Sequence, residues 1–230
     1  MVKIYADGAD IESISNMDSD ERISGFTTNP TLIRKAGVTD YAAFCEMAAK
    51  ATSKPISFEV IGDLQNEMER QAYRLHAMGD NVYVKIPITT TTGMPMYSLM
   101  RKLLERGIKV NVTAVMTHIQ IEGLVERLSG ILPTPLIVSI FCGRIADTGL
   151  HPSSLCSYGR MRLPKHTQIL WASTRELLNI KQAEQSGCDI ITVPNDMLKK
   201  LSMFGYDLTQ YSLDTVKMFY DDAKASGFVL

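Results

Sequence analysis

Asn81-Val82-Tyr83-Val84-Lys85-Ile86-Pro87 reads as a buried parallel strand stopped by proline, with one charge set inside it. Val82, Val84 and Ile86 share one parity, and Tyr83 and Lys85 share the other. A strand covered on both faces seldom carries an ammonium, because burying that charge without a partner is costly. Two explanations are open. Lys85 is ion-paired inside or at the mouth of a barrel, or it is held with a depressed pKa as a neutral amine, a nucleophile toward carbonyls.

The same motif recurs on either side. Short apolar runs lie at 2–7, 25–28, 56–60, 82–87, 108–113, 136–141, 169–173 and 189–193, which makes eight. Amphipathic stretches with helical spacing fall between them, among them 64–78, 96–106, 117–128 and 175–186, with Gly79, Gly107, Gly130 and Gly187 as stop signals. Eight strands alternating with helices in 230 residues predict an α/β fold of the (β/α)8 TIM-barrel type. A doubly wound sheet fits less well, since no Gly-x-Gly-x-x-Gly follows the first run. One barrel domain over 1–230 is expected, with 208–230 as a helical tail whose apolar end docks on a neighbouring subunit. Between 148 and 168 two prolines, two glycines and no clear helical period predict a short helix or an irregular cover.

Strand parity locates a site. Ser57 and Glu59 oppose Ile56, Phe58 and Val60; Asn111 and Thr113 oppose Val110 and Val112; Lys3, Tyr5 and Asp7 oppose Val2, Ile4 and Ala6. Ser139 pairs with Phe141 in the sixth run and Trp171 with Ser173 in the seventh. In a barrel the polar parity faces the axis, and active sites form at the C-terminal rim. Asp7, Asn29, Glu59, Lys85, Asn111, Thr113, Ser139 and Ser173 are therefore expected to converge.

The bulk properties exclude other classes. With 45% hydrophobic and 21% charged residues the chain is ordinarily globular, and a net charge of −1 gives no footprint for nucleic acid or an anionic membrane. No apolar stretch has bilayer length, and Asp7 interrupts the N-terminus before a signal-peptide core, so a cytoplasmic protein is expected. Cys45, Cys142, Cys156 and Cys188 form no Cys-x-x-Cys pair and read as reduced core thiols. Neither they nor His76, His118, His151 and His166 show zinc-ligand spacing, and no metal is expected.

A lysine flanked by carboxylates suggests Schiff-base chemistry on a carbonyl compound, which needs a neutral amine at attack and proton shuttles to expel water. Glu59 and Asp7 are the available carboxylates, and Thr113 is placed to hold a water. Arg144 after the sixth run, and Ser173-Thr174-Arg175 opening the helix after the seventh, make a candidate phosphate site. The alternative is that both arginines are surface ion-pair partners.

Gly25-Phe26-Thr27-Thr28-Asn29-Pro30-Thr31-Leu32-Ile33 resembles the Thr-Thr-Asn-Pro signature that follows the second strand of transaldolases. Val84-Lys85-Ile86-Pro87 resembles their Schiff-base segment. Asn111-Val112-Thr113, Ser139-Ile140-Phe141-Cys142-Gly143-Arg144-Ile145 and Ala172-Ser173-Thr174-Arg175 resemble three further family motifs, in order. The length is similar to that of the compact subgroup that includes fructose-6-phosphate aldolase.

The resemblance implies that Lys85 forms a Schiff base with a ketose donor and that Glu59, with Thr113, holds the proton-carrying water. It implies that Asp7 takes the proton of the donor's C4 hydroxyl. Asn29, Asn111 and Ser139 would bind the dihydroxyacetone hydroxyls, with Thr28 and Phe141 also contacting substrate, and Arg144, Ser173 and Arg175 would bind the sugar phosphate. No metal or organic cofactor would be needed. Aldolase members resemble one another in carrying Gln at the place of Glu59 and Tyr at that of Phe141, so this chain resembles a transferase. The resemblance also implies a homo-oligomer, pentameric or decameric, that binds small sugar phosphates and neither nucleic acid nor membrane.

Overall fold

Eight parallel strands close on themselves in sequence order: β1 (Lys3–Asp7), β2 (Ile23–Thr27), β3 (Ile56–Glu59), β4 (Val82–Pro87), β5 (Val110–Val115), β6 (Leu136–Ile140), β7 (Thr167–Trp171) and β8 (Ile190–Pro194). β8 returns to pair with β1, from Lys3 against Ile190 to Asp7 against Pro194. The structure, a computed structural model, describes residues 1–130 and 133–229. The connecting helices are α1 (Ile11–Asp18), α2 (Pro30–Lys35), α3 (Tyr41–Lys50), α4 (Gln65–His76), α5 (Tyr97–Glu105), α6 (His118–Leu128), α7 (Cys142–Ala146), α8 (Ser153–Arg162), α9 (Leu178–Gln185) and α10 (Asn195–Leu198). This is a (β/α)8 TIM barrel, followed by a further helix, α11 (Leu208–Ala225).

The outward parity of the strands supplies the main core. Val82, Val84 and Ile86 are essentially unexposed and belong with Met68, Ala72 and Leu75 of α4 and Leu99, Met100 and Leu103 of α5 to one apolar layer between barrel and helices. Each large side chain buried there contributes about 1.5–3 kcal/mol of hydrophobic stabilisation before entropy is counted. The inward parity forms a smaller cluster of Tyr5, Tyr83, Ile137, Leu170, Ala172 and Ile190 below the rim. Gly25 faces inward there, because a Cβ on it would stand 2.6 Å from the Tyr5 ring and 2.8 Å from the Pro55 carbonyl. The four cysteines are free and buried.

Two expectations are corrected by this architecture. Of the short helix or irregular cover expected after α7, the structure has a helix, and a longer one than expected: the ten-residue α8. Pro152 sits at its N-cap and Pro164 lies just beyond its end, so the prolines bound the helix instead of breaking it. Leu155, Cys156, Gly159 and Leu163 fall on one buried stripe, and Gly159 lets the helix approach Ile121 and Ile169 closely. At the end of β7 the inward residues are Leu170 and, just past the strand, Ala172, while Trp171 belongs to the outer layer.

At the other extreme no residue of α11 is buried; Leu208, Val216 and Phe219 are each at least 61% exposed. Leu230, the last of the apolar terminal residues, lies outside the described residues. No helix among the described residues is long and apolar enough to cross a membrane.

Candidate active site

Lys85 ends up 6% exposed, two residues before the end of β4, and lines the cavity at the barrel mouth. Register places Glu59 beside it on β3, and the Glu59 Oε2 lies 3.2 Å from Lys85 Nζ. The ammonium also donates to the Thr28 carbonyl at 2.9 Å. Ion pairing and a backbone acceptor are what a buried lysine needs, so the first explanation of Lys85 is met in this state.

Asp7 closes the opposite side of the mouth at the end of β1. Its Oδ1 accepts from the Thr27 hydroxyl at 2.8 Å, and Thr27 in turn contacts Thr192 of β8. Burial pushes the Asp7 carboxyl above its ordinary value, against the opposing pull of Lys85 and the Thr27 hydrogen bond. A carboxylate so raised is a better proton acceptor than one in water.

Both residues line a cavity of about 470 Å³, and Asn29, Glu59, Thr113, Ser139, Phe141, Arg144, Ser173 and Arg175 share its wall. Of the expected set, Asn111 and Thr28 are the two side chains outside it. Asn111 is fully buried, donates to Ser57 Oγ at 3.1 Å and accepts from the Ser139 hydroxyl at 2.7 Å. The Thr28 hydroxyl donates to the Ser57 carbonyl. Asn29 uses its Oδ1 to cap α2 at Leu32, which leaves its amide NH2 as the group available to a ligand. Thr113 Oγ1 is buried and has no hydrogen-bond partner among the described residues, as expected of a hydroxyl that holds a water or ligand.

The anion side departs from expectation in one respect. α9 begins at Leu178, so Arg175 sits in a turn three residues before it, where Asn179 Oδ1 accepts from the Arg175 and Glu176 amides. Two residues before Arg175, Ser173 takes a left-handed conformation, φ +63°, just past the end of β7. That turn brings Ser173 to the cavity although its strand parity points outward. Its carbonyl passes so near α7 that a Cβ on Gly143 would lie 1.7 Å from it. Ala114, the other non-glycine residue at positive φ among the described residues, also lines the cavity, where β5 bulges between Val112 and Val115. Backbone strain gathered at one rim marks a functional site.

Arg144 lies 5.9 Å from the Phe141 ring and has no carboxylate within ion-pair distance among the described residues; Arg175 pairs with Asp147 at 2.7 Å on the surface. Thr27 and Thr192 were not anticipated. The signal existed, since each is the one hydroxyl on the inward parity of its strand, with Ile23 and Gly25 in β2 and with Ile190 and Pro194 in β8.

The sequence model of the transaldolase/fructose-6-phosphate aldolase family matches residues 4–229. The chain belongs to that family. It is 34% identical to a protein of Thermoplasma volcanium named probable transaldolase, over 87% of each chain. A protein of Bdellovibrio bacteriovorus with the same name is 33% identical, over 96% of this chain and 97% of its own. A solved structure assigned to the dihydrodipicolinate synthase family, from Coccidioides immitis, superposes with a TM-score of 0.58 at 12% identity. It covers 83% of this chain and 66% of its own, a likeness of fold alone. Family and relatives together make this a transaldolase-type enzyme.

Proposed function

We propose that the chain is a transaldolase that moves a dihydroxyacetone unit from a ketose phosphate, fructose 6-phosphate or sedoheptulose 7-phosphate, to an aldose phosphate, erythrose 4-phosphate or glyceraldehyde 3-phosphate. The observation that carries this reading is the buried Lys85–Glu59 pair facing Asp7 across one cavity. Lys85 Nζ, after passing a proton to Glu59, attacks the donor's C2 carbonyl. Glu59, through a water held with Thr113, returns the proton to the carbinolamine oxygen, which leaves as water. The resulting protonated imine is the electron sink. Asp7 then takes the C4 hydroxyl proton, the C3–C4 bond breaks, and the electron pair settles as an enamine on Lys85 while the aldose departs. An incoming aldose aldehyde is attacked by that enamine with the proton returned by Asp7, and hydrolysis of the imine releases the new ketose.

Asn29 and Ser139 are placed to bind the dihydroxyacetone hydroxyls, with Asn111 fixing Ser139 from below. Arg144, Ser173 and Arg175 hold the phosphate, with Arg144 as the guanidinium not already paired. Substituting Gly143→Ala is expected to push the Ser173 turn aside. The KM for phosphorylated substrates should then rise about tenfold or more, while that for unphosphorylated glyceraldehyde changes less. Steady-state kinetics on both acceptors checks this.

Phe141, at the cavity wall, has no hydroxyl with which to activate water, so the enamine should wait for an acceptor. The test is a product assay. Fructose 6-phosphate with erythrose 4-phosphate should yield sedoheptulose 7-phosphate, with little free dihydroxyacetone when the acceptor is omitted. Rapid release of free dihydroxyacetone would instead make the chain an aldolase.

The exposed apolar residues of α11 are the surface through which the chain forms a homo-oligomer. Truncation after Asp207 is expected to reduce the particle to a smaller species by light scattering. An unchanged mass would refute that role.

A further inference from the structure

Glu59 is the last residue of β3, and the strand that should support it has already left the sheet. On the β2 side, Phe26 N–H donates to the Pro55 carbonyl and Thr28 N–H to the Ser57 carbonyl. The next rungs of a parallel ladder would join Glu59 N–H to the Thr28 carbonyl and Glu59 C=O to the amide of residue 30. Neither forms. The Thr28 carbonyl is held by Lys85, and residue 30 is a proline that opens α2. Register between the two strands accordingly ends at Thr27 and Ser57.

One hydroxyl takes the place of the missing strand. Tyr41 donates to the Glu59 carbonyl at 2.6 Å and accepts from the Glu59 amide at 3.0 Å. Tyr41 is the first residue of α3, whose start is fixed by the Asp40 cap on Ala43 and whose far face is anchored by buried Phe44, Cys45 and Ala48. Burial, reinforced by the Cys45 thiol, holds the tyrosine well above its ordinary pKa, so its proton stays on at any working pH. A second cavity of about 360 Å³, lined by Tyr41, Glu59, Ile61, Arg70 and Arg74 among others, lies against this contact.

We infer that Tyr41 is a positioning residue for the reaction, setting the backbone of Glu59 and through it the placement of the carboxylate against Lys85. The inference rests on the proposed role of the Lys85–Glu59 pair in imine formation. Nothing in the sequence announces it, since Tyr41 stands eighteen residues away on the outer layer.

The test uses the full chain with Tyr41→Phe, which removes one oxygen and leaves the ring. Water from the adjoining cavity can bond the released Glu59 groups, so the variant keeps its fold while losing the restraint. Imine formation is followed by quenching with borohydride at timed intervals, using fructose 6-phosphate and sedoheptulose 7-phosphate as donors, and weighing the intact protein. The expected result is slower imine formation by about tenfold to 10²-fold, a matching fall in kcat and a KM within about twofold of the parent. In a Glu59→Ala background Tyr41→Phe should cause no further slowing, whereas a purely structural tyrosine would slow both backgrounds alike. A wild-type rate in Tyr41→Phe, or equal slowing in both backgrounds, overturns the inference alone. A parent protein that forms no imine at Lys85 overturns the proposed function and this inference with it.

Discussion

Lys85→Met is expected to lower transfer activity by about 10⁴-fold or more while leaving the barrel folded. Methionine preserves the length and apolar stem of the buried side chain but has no amine able to form an imine, and among the described residues no other lysine lines the cavity. Loss of a covalent nucleophile is of this size because neighbouring groups cannot take over its bond-forming step. The substitution does strand Glu59, which loses its partner at 3.2 Å. That carboxylate retains contact with the open cavity, where water can bond it, so the expected stability cost is about 1–3 kcal/mol rather than collapse. Circular dichroism and a denaturation curve separate the two effects. Retention of activity within about 10²-fold would contradict the role given to Lys85.

Asp7→Asn should divide function from stability. Asparagine keeps an oxygen for the Thr27 hydroxyl to donate to but cannot take a proton from a substrate hydroxyl, so kcat should fall about 10²–10⁴-fold. Imine formation should survive, because the lost step follows it. Stability should move the other way. Burial raises the Asp7 pKa in the folded protein above its unfolded value, so the folded state holds this proton more tightly. That contribution is fully present below the unfolded carboxylate pKa of about 4 and is lost as pH rises through the raised folded value. Above that window the parent bears the cost of a buried charge that the amide variant does not. The melting temperature of Asp7→Asn should therefore equal or exceed the parent's at neutral pH, and the gap should open as pH rises from about 4. A variant less stable than the parent throughout would show that attraction to Lys85 outweighs burial.

Much of this site was legible as strand parity. In the alternating runs Ser57/Glu59, Tyr83/Lys85 and Asn111/Thr113, the later member of each pair, Glu59, Lys85 and Thr113, lines the cavity, while Ser57, Tyr83 and Asn111 are buried beneath it. β7 carried no such information. Ile169-Leu170-Trp171-Ala172 is apolar on both faces, so nothing distinguished inward from outward, and the bulk of Trp171 belongs with the helices. Ser173 reached the cavity by a backbone reversal that no periodicity encodes. α8 was hidden by its prolines and by Gly159, each unfavourable inside a helix. Two of the three lie at its ends, and the third is tolerated for close packing. Parity assigns a side, not a partner, so it could not show that Asn111 spends both polar atoms on Ser57 and Ser139.

A covalent bond between Lys85 and the donor is trapped by borohydride reduction in the presence of fructose 6-phosphate, with and without erythrose 4-phosphate. Intact mass and peptide mapping then read the product. The expected result is one adduct of dihydroxyacetone size, located on Lys85 and discharged when the acceptor is added before the reductant. An adduct on a different lysine, or none with fructose 6-phosphate, sedoheptulose 7-phosphate or any other ketose tried, would contradict it.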